Sequence, residues 1–357
     1  MKISQEINLP ENTKAWLWLT LLAVAGVILL ITDMALGSVR IPSGDIIHIL
    51  TGNKNVNPVW TKIVLDIRVP KAITAVIAGA ALSVSGLQMQ TLFRNPLAGP
   101  SVLGITSGAS LGVAALMLGT GSFAGSHALR QLSAGSSWLI ILASFGGSAL
   151  AFFLIISISI RVKDNVVLLV IGMLLSSLII AIVSIWQYFS EPEQIQDYLI
   201  WTFGSLNGVS PDQIPILLTV TIIGILLTFI SSKSLNLLLL GENYASSMGV
   251  QTKTIKTLVI FSTSLLAGAV TGFCGPIGFI GIAVPHLCRA LLNTSDHRLL
   301  VPCCCLAGAV MMLFCDILSQ PPGYQTVLPI NAVTSIFGSP VVIWVILQKI
   351  NARTSFN

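Results

Sequence analysis

Charge is scarce in this chain. Asp, Glu, Lys and Arg make up only 9% of its 357 residues, against about 25% in an ordinary soluble domain. A soluble protein of this size needs a charged surface, and 18 Lys/Arg with 13 Asp/Glu cannot cover one. Basic clusters are lacking as well, so the net charge of +5 forms no nucleic-acid footprint. The six Cys (274, 288, 303, 304, 305 and 315) show no C-x-x-C spacing, and no His pair accompanies them. They are read as small, soft packing residues rather than metal ligands or a disulfide framework. The four His show no H-E-x-x-H spacing, so a metallohydrolase reading has nothing to stand on. No G-x-x-x-x-G-K-[ST] string occurs, nor any Gly-Lys pair, so the chain does not cradle ATP phosphates in a P-loop.

What is present is apolar length. Hydrophobic residues account for 54% of the chain, and the mean hydropathy is +0.90. About 20 apolar residues cross about 30 Å of hydrocarbon, and charge-free windows cut at proline give ten spans: 14–36, 70–92, 101–119, 138–160, 166–190, 213–232, 254–273, 276–292, 300–318 and 331–349. Cys274-Gly275-Pro276 divides one long window, and Pro321-Pro322-Gly323 with Pro329 divides another. The first run is too long for a signal peptide and follows a polar segment carrying Lys and Glu, so no cleavable leader is expected. The expectation is an all-α polytopic membrane protein forming one domain over 1–357, with a short N-terminal segment of about 1–13.

An even number of spans puts both termini on one side. With the termini cytoplasmic, twelve of the 18 Lys/Arg fall inside and six outside, the direction the positive-inside rule requires. Five of the outside six lie between Arg40 and Lys71 and need a reason of their own. Short surface helices are expected within Arg40–Lys62, where Ile46, Ile47 and Leu50 keep helical spacing, and within Leu240–Lys256. The aromatics of Glu191–Asn207 suit a membrane boundary.

Small-xxx-small spacing occurs at Gly108 to Gly112 and Gly268 to Gly272, which suits close helix packing. Energy coupling is informative by absence. Intramembrane carboxylates are the usual mark of ion-driven transport, yet only Asp316 lies well inside a span, with Asp33 near an end. Either the chain is a channel or ion-gradient-driven carrier with a thin proton path, or another subunit supplies the energy.

Three ordered strings carry a resemblance. The first is Arg68-Val69-Pro70-Lys71 with Gly79, Gly86, Gln90 and Arg94-Asn95-Pro96-Leu97-Ala98-Gly99-Pro100. The second is Gly275-Pro276-Ile277-Gly278-Phe279-Ile280-Gly281 with Val284-Pro285-His286, Arg289 and Asp296-His297-Arg298. The third is Leu328-Pro329, Thr334 and Gly338-Ser339-Pro340. Together they resemble the FecCD-type permeases, the membrane subunits of binding-protein-dependent ABC importers for ferric siderophores, haem and vitamin B12.

The resemblance implies a type II ABC importer permease fold with ten helices, in the inner (cytoplasmic) membrane. It further implies a second permease copy, ABC ATPase subunits below and a periplasmic or lipid-anchored substrate-binding protein above. The cargo would be an iron chelate, haem or a corrinoid, with a ferric siderophore favoured. No cofactor and no catalytic residue are implied. By position, the loop of about 240–253 matches the ATPase-coupling segment, through Gly241, Glu242, Ala245, Ser246, Met248 and Gly249; an ordinary interhelical loop is the alternative. Arg68 and Lys71 match the basic positions that meet the binding protein, the alternatives being snorkelling or pairing of Arg68 with Asp66. Lys71 stands where the family has Arg, which loses bidentate geometry. Gln320 stands where many members place another Arg. The gate corresponds to Asp164, Asn165 and Val166, where a plain helix cap is equally compatible.

Overall fold

A computed structural model describes residues 11–37, 39, 41–52, 56–119, 137–162, 164–320 and 327–354. The N-terminal residues 1–10, the Pro321-Pro322-Gly323 break, and Arg40, Lys54, Arg130 and Lys163 of the charge count lie outside the described residues. Among those described, every regular element is helical: α1 Glu11–Ala35, α2 Ser43–Leu50, α3 Pro58–Ile63, α4 Val69–Leu92, α5 Ile105–Met117, α6 Ser137–Ser159, α7 Asn165–Tyr188, α8 Pro192–Thr202, α9 Ile214–Ile230, α10 Ser232–Leu239, α11 Glu242–Ser247, α12 Thr252–Cys274, α13 Ile280–Leu292, α14 His297–Ser319 and α15 Ile330–Thr354. Each of the ten spans read from the sequence has a helix. Six are long and apolar enough to cross a membrane alone, α9 and α10 form a bent pair that passes the same test, and α5, α13 and α15 are shorter apolar helices.

α4 is the axis of the bundle, and its sequence explains why. From Ala72 to Leu92 almost every residue is buried, and most are Ala, Gly, Ser, Thr or Gln. A thin helix of this kind admits several neighbours at backbone distance. A Cβ on Gly79 would overlap the carbonyl of Gly308 on α14, and one on Gly86 would overlap that of Gly281 on α13. Helix packing in lipid has no hydrophobic drive of its own and relies on such close contact. The outward faces of α1, α6, α7 and α9 carry large exposed apolar residues, among them Trp16, Val27, Phe153, Leu174 and Ile230, as lipid contact requires.

The helices depart from the expected spans in two places. Pro70 does not start the helical run: it is continuous from Pro58, and a π-helical turn over Val64–Arg68 ends two residues before the proline. A wider turn makes room for the proline ring against the carbonyl four residues back, to which Pro70 has no N–H to donate. The span expected to end at Ser232 instead turns by 56° and continues as α10. Thr228 and Ser231 bond back to the carbonyls of Gly224 and Leu227, a pattern that bends helices. Gly108-Ala109-Ser110-Leu111-Gly112 also spells G-x-S-x-G, but Ser110 lies inside α5 and donates to the Thr106 carbonyl at 3.1 Å, so it is no exposed nucleophile elbow.

Candidate functional site

α10 delivers the chain to a short foot. Gly241 takes φ 115°, α11 follows over six residues, and Gly249 takes φ 85°, left-handed values that favour glycine. The Ala245 carbonyl accepts the Val250 N–H at 3.0 Å, which closes the helix end. Ala245 is fully buried, whereas Tyr244 is 50% and Met248 59% exposed. The foot is therefore anchored by one small residue and shows two large apolar ones outward. Glu242 pairs with Lys256 of α12 at 2.8 Å, tying the foot to the next span.

The residues expected at the gate lie beside this foot. Asp164 caps α7 by accepting the Val166 N–H at 2.7 Å, which is the cap reading allowed by the sequence. Asn165 donates from Nδ2 to the Leu92 carbonyl at 2.8 Å and so fastens the start of α7 to the end of α4. Val166 is exposed. A cavity of about 1170 Å³ opens between the two regions, lined by Asp164, Asn165 and Val166 on one side and Gly241, Glu242 and Ser246 on the other. Arg94, at φ 48° just past α4, lines it too, its guanidinium approaching Gly241. The segments expected to gate and to couple thus share one groove. Arg94 and Lys256 join it without having been singled out for this role in the sequence, because their part depends on contacts distant in the chain.

Arg68 and Lys71 are placed differently from the rim charges expected of them. Both are buried, at 7% and 5% exposure. Arg68 does not pair with Asp66. It donates to the carbonyls of Met34 (2.7 Å), Ala35 (3.0 Å) and Val39, and so holds the chain as it leaves α1. Lys71 Nζ lies 2.6 Å from Asp316 and 3.5 Å from Asp33. Gln320 joins the cluster, donating to Asp33 at 3.4 Å. The physical reason is burial: a cation withdrawn from water needs opposite charge or carbonyl oxygens around it. The concentration of basic residues at this end of the chain has internal partners in these two cases.

The first two sequence strings pack on each other. Arg289 donates to Gln90 Oε1, Gln90 Nε2 donates to the Ile282 carbonyl at 3.1 Å, and the His286 ring nitrogen Nε2 lies 2.7 Å from the Pro96 carbonyl. Among the described residues, no three His, Cys, Asp or Glu side chains are placed to hold a metal ion. Cys303 and Cys304 are buried as free thiols, and Cys305 is partly buried.

Residues 21–348 match the family model of the FecCD transport family. The chain is 32% identical over 328 residues to the hemin transport system permease protein of Yersinia pestis, covering 92% of this chain and 96% of that one. It is likewise 32% identical over 341 residues to the vitamin B12 import system permease protein of Klebsiella pneumoniae, covering 95% of each. In structure it superposes with TM-score 0.79 and 26% identity on a chain solved in an inward-facing conformation of a metal-chelate type ABC transporter, covering 92% of this chain and 98% of that chain.

Proposed function

This chain belongs to the FecCD transport family, a multi-pass permease of the ABC importer class in the cytoplasmic membrane, and from that premise we propose that it carries a bulky metal chelate inward, a ferric siderophore first, with haem or a corrinoid as the alternative cargo. Two copies form the pathway between them. ATP is hydrolysed on separate subunits, which seat against the foot at Gly241, Glu242, Ala245, Ser246, Met248 and Gly249. A substrate-binding protein delivers the cargo from outside, and its docking through Arg68 and Lys71 would require the outer ion cluster to open.

The observation that carries this reading is the shared groove. A foot with outward-facing Tyr244 and Met248 sits across about 1170 Å³ from Asp164, Asn165 and Val166, so a push on the one is next to the residues that would close the path. Rigid-body motion of a docked ATPase can act on such an arrangement without chemistry in the membrane subunit. An ion-gradient carrier finds less support, because the two intramembrane carboxylates, Asp33 and Asp316, sit in one cluster around Lys71 and form no chain of acidic groups across the bundle among the described residues.

The test is reconstitution of the permease with its ATPase and binding protein in proteoliposomes, followed by uptake of labelled ferric siderophore, haem and cyanocobalamin. ATP-dependent uptake of one of them, abolished without the ATPase, is expected. Uptake by this chain alone under an ion gradient would overturn the proposal.

A further inference from the structure

The foot must be gripped by the transmembrane core if its movement is to reach the pathway, and the six residues of α11 offer only buried Ala245 and the Glu242–Lys256 pair to α12. The grip is found one element earlier. Asn236, on α10, accepts the His297 backbone N–H at 2.9 Å and faces the His297 Nδ1 at 2.6 Å through the same Oδ1, while its Nδ2 donates to Asp296 at 2.6 Å. Those contacts fix the amide orientation, because only the oxygen can accept the backbone N–H and only the nitrogen can donate to the carboxylate. Nδ1 of His297 therefore carries a proton and donates. The other ring nitrogen, Nε2, lies 2.7 Å from the Thr91 hydroxyl on α4. Both His297 and Thr91 are fully buried. One side chain on α10 thus ties the stalk of the foot to the first turn of α14 and, through the imidazole, to the last turn of α4.

The two helices it reaches are bound to each other along their length. At the inner end stands Thr91–His297. Midway, Gly79 and Gly308 meet backbone to backbone, and Ser83 donates to the Cys304 carbonyl at 2.6 Å. At the outer end stands Lys71–Asp316, joined to α1 through Asp33. α4 has 24 residues, roughly 36 Å at 1.5 Å per residue, so the pair spans the membrane. Helices tied at three levels move as one body instead of absorbing displacement by sliding.

We propose that Asn236 is the positioning residue that holds the foot to the core, and that the α4–α14 pair carries displacement between the foot and the outer Lys71–Asp33–Asp316 cluster. The second half rests on the import reading above; the first does not. An event at the outer face, such as arrival of a loaded binding protein, then reaches the ATPase through Asn236.

Two measurements test this. The first is hydrogen exchange of residues 241–249 in the isolated permease in nanodiscs. N236A should speed exchange there about tenfold while α4 amides stay protected. The second is the ratio of ATP hydrolysis with and without cargo-loaded binding protein, taken per assembled complex. N236A should cut that ratio at least fivefold. D296A removes the carboxylate opposite Asn236 and the α14 cap but leaves both His297 contacts of Asn236, and should speed exchange and cut the ratio less than N236A does. Wild-type exchange in N236A, or exchange in D296A as fast as in N236A, would overturn the grip. An unchanged hydrolysis ratio in N236A despite faster exchange would overturn the transmission. If wild-type hydrolysis ignores the binding protein altogether, the import reading falls and takes the transmission with it, whereas the exchange result still decides the grip.

Discussion

Lys71 in the first turn of α4 lies 2.6 Å from Asp316 in the last turn of α14, with Asp33 of α1 also within reach at 3.5 Å. Three helices meet on one ammonium. Removing one partner of a buried ion pair strands charge and costs about 3–5 kcal/mol, whereas replacing the whole set with apolar groups is often tolerated. K71M should therefore destabilise the permease by about that much, since it leaves two carboxylates facing each other. D316N should cost less, because Asp33 still balances Lys71. The triple variant D33N/K71M/D316N should recover much of the loss. Thermal unfolding in one detergent measures all three, and a K71M midpoint equal to wild type would show that the cluster holds nothing together.

Backbone contact between helices gives a second prediction. Gly86 has no room for a methyl group against the Gly281 carbonyl, while Gly146 on the exposed side of α6 has nothing within 4 Å. Overpacking costs about 1–3 kcal/mol, and exposed Gly→Ala in a helix gains up to about 1 kcal/mol. G86A should lower the unfolding temperature and G146A should hold or raise it. If both shift alike, close approach is not what fixes α4 at the centre.

Much of this was legible in the sequence. Span number follows from apolar length, and Gly275-Pro276 and Pro329 mark real breaks, because missing donors and left-handed backbone are local properties. Gly249, at φ 85° just past α11, ends that helix by the same local property. What could not be read is anything set by contacts across the bundle. Arg68 and Lys71 look like exposed charges because sequence does not show that Asp33 and Asp316 come to meet Lys71 from 38 and 245 residues away, or that the carbonyls of Met34, Ala35 and Val39 surround Arg68. Asn236 gave no signal at all: its meaning lies in His297, 61 residues on. The bend between α9 and α10 is not legible because no proline or glycine marks it; back-bonding hydroxyls accompany it instead.

The foot offers a third prediction. Met248 and Tyr244 stand outward on a polar face, at 59% and 50% exposure, while Ala245 between them is buried. Large apolar residues held outward on an otherwise polar loop suit a protein groove, and such anchors contribute about 2 kcal/mol or more when docked. M248D should reduce recovery of the ATPase with the permease at least tenfold while leaving the permease's own unfolding temperature unchanged. Equal recovery with M248D would remove Met248 from the contact.

Asp296 supplies the last. It caps α14 by accepting the Arg298 N–H at 3.0 Å and also accepts from Asn236. Partial burial pushes its pKa up, but the Arg298 N–H, the Asn236 amide and the nearby Arg298 and His297 charges outweigh that, and the net effect is a carboxyl below its ordinary value. The sign follows directly. A carboxyl lowered in the folded state contributes stability above its unfolded value of about 3.9, and loses it as pH falls through the lower folded value. Losing an N-cap costs about 1 kcal/mol, so D296A should be less stable than wild type by about that amount near pH 7. The gap should stay constant down to about pH 4 and narrow below it, as wild-type Asp296 takes up its proton. Denaturation of both forms across that range reads the gap directly, and a gap that widens in acid would mean the carboxylate is not what stabilises the start of α14.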